Sequence, residues 1–292
     1  MTVLSKGSLF DPELVSDLVT KVRGKSSLAL LSPQVPVGFN GRKEFVFNFD
    51  GDVDVVAENG TKSHGGMSLQ PVTIIPVKVE YGSRVSDEFM YASEEEQLDV
   101  LTAFNDGFAK KLAAGLDKMA MHGINPRTGT ASAVIGTNHF DSKVTQTVTY
   151  AAATADEKLE DAIALVEGSD GEVTGMAISP ALRQALAKKT DSNGNKVYPE
   201  FAFGGKPTSL GTNQLDINKT VAVGSVDEAI VGDFANMFKW GYGKEISLEV
   251  IEYGDPDNTN VDLKGSNQVY IRAEAYIGWA IFNPSSFARV VD

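Results

Sequence analysis

Few side chains in this 292-residue chain are placed to do chemistry, and each has an ordinary reading beside the reactive one. There is no cysteine, so disulfides, thiolate metal sites and thiol nucleophiles are excluded together. The histidines His64, His122 and His139 stand apart, without the spacing by which one helix face grips a metal. Asp255-Pro-Asp257-Asn-Thr-Asn-Val-Asp262 sets oxygen donors at calcium-like intervals. It lacks the central glycine and closing glutamate of a calcium loop and reads as a plain loop. Gly204-Gly205-Lys206 and Gly241-x-Gly243-Lys244 are too short to cradle phosphate and open no helix, so both read as turns. Ser179, Ser209 and Ser225 have no histidine in a defensible nucleophile-and-base order, although such triads are assembled across folds. Asn59-Gly-Thr61 and Asn218-Lys-Thr220 match the glycosylation pattern, which has meaning only in a secreted chain. No catalytic residue, cofactor-binding residue or metal ligand is expected.

The elements that must carry these residues are organised around SEEEQLDVLTAFNDGFAKKLAAGLDKMAMHG, Ser93 to Gly123. Ser93 and Glu96 form a capping box, each side chain satisfying a backbone N–H that the first turn leaves unpaired. Leu98, Leu101, Phe104, Phe108, Leu112, Leu116 and Met119 then recur in steps of three and four, one apolar stripe on one helix face. Asp99, Asp106, Lys110, Lys111, Asp117 and Lys118 lie largely off it. Gly123 stops the helix, and His122 in the last turn suits the negative end of the dipole. Such a helix spans about 40 Å at 1.5 Å per residue. A spine of this kind also occurs in ordinary enzymes, so its surroundings decide.

Composition is that of a soluble globular protein: 42% hydrophobic, 22% charged, with 26 Lys and Arg against 39 Asp and Glu, a net charge of −13. That balance argues against a basic groove reading nucleic-acid sequence. No signal-like start follows Met1, and no apolar run approaches the roughly 18 residues of a membrane span. Cytoplasm-like conditions and no membrane contact are expected.

Along the chain, a short amphipathic piece from Asp11 to Val22 is followed by SSLALLSPQVPVGFNG, in which Pro33 and Pro36 favour an extended arm resting on another surface. From Lys43 the period becomes two. Phe45, Phe47 and Phe49 alternate with Glu44, Val46 and Asn48, strand signals continue through Val53, Val55 and Val56, and they resume at Val72, Ile74, Ile75, Val77, Val79 and Tyr81. With Asn59-Gly60 and Gly65-Gly66 between, this predicts a long hairpin with a polar tip bearing Lys62, a solvated lysine. Two strands alone are marginal in water and need a surface to lie on.

After the spine, Thr154 with Glu157 repeats the capping box over Leu159, Ile163 and Val166, and MAIS leads through Ser179-Pro180 into a second short helix. Asn193-Gly194 marks a tight turn. Short strands are expected around Thr220–Val223 and Ala229–Gly232, then one through Ile246, Leu248 and Val250, and one of about 14 residues from Val269 to Ile281, well beyond the usual length.

This order of parts resembles the major capsid proteins of tailed bacteriophages with the HK97-type fold. VVAENG with LQPVTIIPVKVEYGSRVSDEF is similar to that family's extended loop and return strand, though Val55-Val56 stands where an aromatic is often found. GMAISPALRQALAKKTDSNGNKVYPE, GGKPTSL, AIVGDFANMFKWGYGKEISLEV and QVYIRAEAYIGWAIFNPSSFARVV resemble successive later passages, so the likeness covers about residues 40–292. It implies an α+β fold with an N-terminal arm (1–40), an extended loop (41–85) and a peripheral domain (86–150, with a spine helix 94–122, and again 244–292). An axial domain (151–243) completes it.

Functionally the resemblance implies a subunit that assembles through pentamers and hexamers into an icosahedral head around double-stranded DNA. Portal, scaffolding and head-completion proteins would be its partners, and assembly would take place in the host cytoplasm. Some members join a loop lysine to a neighbour's asparagine, but no asparagine and acid base can be matched to Lys62, so no cross-link is expected. Some relatives carry a scaffolding segment ahead of the arm; only about 40 residues precede the loop here, so a separate scaffold is expected. An encapsulin-like bacterial nanocompartment shares the fold and is the alternative within the class. Outside it, an acidic hydrolase or carbohydrate-binding β-rich protein stays open.

Overall fold

A computed structural model of the chain describes residues 21–22, 25–91, 94–223 and 227–292, and for 48–50, 89–90, 94–99 and 245–246 it describes the backbone alone. The piece expected from Asp11 lies outside this description except at its last two residues, which are helical, and so does the Ser93 and Glu96 capping box. The spine helix, Glu94–His122, spans 29 residues. Leu101, Phe108, Leu112, Leu116 and Met119 are buried along its stripe, and the chain leaves it at Gly123 with φ +67°.

The strands form three sheets, which with the spine give an α+β fold. Strands β1 (Arg42–Asp50) and β2 (Gly66–Ile74) pair only with each other, antiparallel, with Phe45 opposite Pro71 and Phe47 opposite Leu69. Strands β3 (Val77–Ser86), β10 (Gln268–Ile281) and β9 (Phe238–Ile251) form an antiparallel sheet in the order β3-β10-β9. The third sheet is mixed, in the order β4-β11-β8-β5-β7-β6. It is built from Thr147–Thr149 (β4), Gly175–Ile178 (β5), Ser209–Leu210 (β6), Asn213–Ile217 (β7), Asp227–Gly232 (β8) and Phe287–Val291 (β11).

Two principal cores result. In one, Phe140, Phe234, Phe238, Phe287, Trp240 and Trp279 join the spine to both larger sheets. Phe140 meets Phe287 edge-on at 5.1 Å between ring centroids, a geometry that aligns ring edge with ring face. In the other, the helix Ala155–Glu167 and the helix Pro180–Lys188 cover one face of the mixed sheet through Leu159, Val166, Leu182 and Leu186.

Several expectations are corrected. The described part of the arm does not wait for another surface. Ser27–Leu31 forms a short helix whose N-cap Ser26 accepts from the Ala29 N–H, with Leu28, Ala29 and Leu31 in the main core. The next residues then lie along β9, where the Val35 N–H donates to the Trp240 carbonyl at 2.8 Å. Val53, Val55 and Val56 are not in a strand; they belong to the irregular tip and are exposed. The return strand breaks at Ile75-Pro76, because proline cannot donate to a ladder, and its second half changes partner to β10. Thr154 caps with no side-chain bond, a 3₁₀ turn running straight into the helix instead. Lys219–Ala222 is a 3₁₀ turn rather than a strand. The strand expected around Ile246 begins eight residues earlier, at Phe238.

Candidate functional site

The hairpin is the first surface that chemistry alone does not explain. Directly opposed residues of a ribbon share a face, so Phe45, Phe47, Met67 and Leu69 make one apolar face, on which Phe47 is 59% exposed. Its base is fixed. Lys239 Nζ lies 2.6 Å and Arg42 Nε 2.9 Å from the Glu44 carboxylate. Gly41 sits at φ +87°, where an added Cβ would come within 2.7 Å of the Ile74 carbonyl. Ile74 is buried with Val37 and Ala280. A rigid foot therefore carries an apolar blade that nothing among the described residues covers.

The calcium-like loop is organised by a cation of the protein's own. Arg84 on β3 places Nη2 2.8 Å from Asp255 and 2.5 Å from Asp257, with Thr259 Oγ1 at 2.5 Å and the Val261 carbonyl at 3.0 Å. Its Nε bonds both oxygens of Asp257. The guanidinium beside Asp257 pulls that carboxyl down to about 2. Arg84 thus fills the centre that a metal would need.

A buried polar cluster joins the end of the spine to β8, β11 and the turn helix Phe140–Lys143. His122 Nδ1 lies 3.0 Å from Asp141 and its Nε2 lies 2.9 Å from the Thr220 carbonyl. Arg289 Nη1 reaches Asp141 at 2.7 Å and both oxygens of Asp227 at 3.2 Å. Burial opposes charge on His122, but Asp141 outweighs it and holds the imidazole above its usual pKa. Burial, then Asp141, push Asp227 up to about 7. Burial also acts to raise Asp141, yet His122, the Asp227 hydrogen bond and Arg289 keep it below the usual range. His122, Asp141 and Asp227 are close enough to share a metal. However, His122 spends both ring nitrogens elsewhere and Arg289 already supplies the positive charge. The arrangement is a structural knot at a three-way junction.

The remaining candidates have structural roles. Ser179 caps its helix, accepting from the Leu182 N–H at 3.0 Å and donating to Glu228. Ser209 lies in β6, and Ser225 falls outside the described residues. Lys62 and His64 are exposed on the hairpin tip, with Asn59 at φ +65°. His139 packs over Gly123, where a Cβ would fall 2.4 Å from its ring. Asn218 caps the turn that carries Thr220. Gly241 and Gly243 are there for space: a Cβ at Gly241 would lie 1.9 Å from the Val35 carbonyl, and one at Gly243 2.5 Å from Pro76. Sequence reasoning missed Asp117, placed off the stripe yet fully buried, and missed Arg84.

Among the described residues no helix is long and apolar enough to cross a membrane. The model of the phage capsid family matches residues 6–292. A structure from Mycobacterium phage Ogopogo is 32% identical, with TM-score 0.79 and 92% of each chain covered. One from Gordonia phage Cozz is 25% identical, with TM-score 0.74, covering 91% of this chain and 86% of that one. The capsid of an empty GTA particle, computed with C5 symmetry, shares the fold at 15% identity and TM-score 0.66, covering 91% and 90%. No curated protein matches the chain.

Proposed function

The chain belongs to the phage capsid family and is a major capsid shell protein of the HK97-like fold, and on that premise we propose that its copies join as pentamers and hexamers into an icosahedral head enclosing packaged double-stranded DNA. The observation that carries the finer reading is the hairpin's uncovered apolar face, which gains its burial only against another copy. A contact of blade on unlike surface is heterologous, and it closes into a ring where its rotation is a whole fraction of a turn. The fivefold computation of the similar GTA capsid supports rings of five. The net charge of −13 suits a wall that does not pin DNA, since phosphate binding needs Lys and Arg clusters.

The division that goes with this reading is an arm at 1–40, an extended loop at 41–85, a peripheral domain at 86–150 and 244–292, and an axial domain at 151–243. Strand β9 crosses the last boundary. The role is structural, with no residue assigned to catalysis. Further copies of the chain are its first partners, and portal, scaffolding and head-completion proteins the others, met in the host cytoplasm. The phage structures that the chain resembles do not favour an encapsulin-like cargo shell. Electron microscopy of purified particles tests the proposal. DNA-filled icosahedral heads with one portal vertex are expected. Small enzyme-filled shells, or a lone 31.2 kDa monomer at every concentration, would overturn it.

A further inference from the structure

The turn Pro199–Gly204 holds an aromatic side chain where a folded monomer has no use for it. Phe203 adopts φ +51° and ψ +32°, a left-handed conformation that side chains with a Cβ disfavour, and it is fully exposed. The turn is not loose. Phe201 beside it is fully buried, its ring packed edge-on to Tyr198 at 6.4 Å, and Arg183 Nη1 donates to the Phe201 carbonyl at 3.0 Å. The Gly205 N–H closes back on the Ala202 carbonyl at 2.9 Å. Backbone strain held in place by its surroundings, together with a phenyl ring left in water, is an arrangement that persists where something outside the monomer rewards it.

The same sheet layer carries a matching recess. A cavity of about 350 Å³ opens between the helices Ala155–Glu167 and Pro180–Lys188 and the turn joining β6 to β7. Leu159, Ile163, Met176, Leu186 and Leu210 supply the apolar part of its wall, and Glu160, Tyr198, Thr212 and Asn213 a polar rim. Asp156 at the same cavity is tied to Lys189 and accepts from the Tyr198 hydroxyl, so its charge is already engaged. A dry apolar cavity of about 150 Å³ already holds benzene, so this larger, open and partly polar recess has the volume for a phenyl ring and its flanking backbone. Phe203 does not line its own chain's cavity.

We propose that Phe203 of one copy seats in this cavity of the next copy, a contact that rests on the reading of the chain as a self-assembling shell protein. Knob and recess are made of different residues of one chain, so every copy can give one and receive one, a head-to-tail contact that closes into a ring where its rotation allows.

The chain has no cysteine, so a disulfide can arise only where one is placed. Ala202→Cys, beside Phe203 and leaving its ring in place, combined with Thr212→Cys, an exposed residue lining the cavity, is assembled and oxidised with diamide. A ladder of linked copies on a non-reducing denaturing gel is expected; monomer alone would overturn the contact. Phe203→Gly gives the second readout, because glycine adopts the left-handed turn freely. The subunit should unfold at the wild-type temperature or above, while capsomer formation weakens on the order of tenfold or more. A folded Phe203→Gly subunit that assembles as readily as wild type would refute the proposal. Wild-type protein that never assembles would instead refute the shell reading itself, so the two failures are distinguishable.

Discussion

Asp117, five residues before the end of the spine helix, accepts the Ser26 hydroxyl at 2.5 Å and thereby ties the arm to the spine inside the core. The same carboxylate takes the Ser27 N–H at 3.0 Å, the Leu28 N–H at 3.2 Å and the Thr220 hydroxyl at 2.8 Å. Arm, spine and the turn before β8 therefore meet on one side chain. Burial pushes its pKa up to about 6 despite these four donors.

Replacing Asp117 with Ala strands two hydroxyls and two N–H groups in the core. The expected loss is about 2–4 kcal/mol, read by urea unfolding of dissociated subunits at pH 7. A loss below about 0.5 kcal/mol would contradict the role.

Stability should also fall as pH rises from about 4.5 to about 7. Asp117, at about 6, and Asp227, at about 7, both lie above the unfolded aspartate value of about 3.9. Each contributes stability that is complete below the unfolded pKa and lost as pH rises through the folded one. Asp117→Asn removes the lower part of that slope, and an unchanged slope between pH 4.5 and 6 would contradict the assignment.

Gly241 leaves the room in which the arm crosses β9, since a Cβ there would lie 1.9 Å from the Val35 carbonyl. Gly241→Ala should cost about 2 kcal/mol and raise amide exchange at Val35, whose N–H bonds Trp240. Wild-type exchange at Val35 in Gly241→Ala would contradict the packing.

Arg84→Lys keeps the charge but not the fork that engages Asp255, Asp257 and Thr259 together. The loop 255–262 should become cleavable by limited proteolysis while the rest of the chain stays intact. In the wild type the Asp257 pair is complete above the unfolded carboxylate pKa and is lost only as pH falls through about 2. Loop protection should therefore persist in mild acid. Equal cleavage of Arg84→Lys and wild type would show that the loop stands without its arginine.

What the sequence disclosed was what periodicity writes. The spine stripe ends at Gly123 and β10 is the long alternating strand, because burial on one face leaves a repeat of three to four or of two. The early start of β9 was not read, because Gly241 and Gly243 imitate a loop although Phe238, Trp240 and Tyr242 alternate. The partnership of Arg84 with the 255–262 loop was not legible, since it joins residues 171 or more apart in the chain. Nor was the burial of Asp117: its paying partners are a serine 91 residues earlier and a threonine 103 later. Helical spacing alone ranks an aspartate as surface.

The claim on which the account turns is that the hairpin's apolar face is covered by another copy in the shell. Phe47→Cys, the only thiol in the chain, measures it through maleimide labelling of dissociated subunits and of intact particles. Rapid labelling of subunits and protection in particles is the result expected. Equal labelling in both states would contradict it.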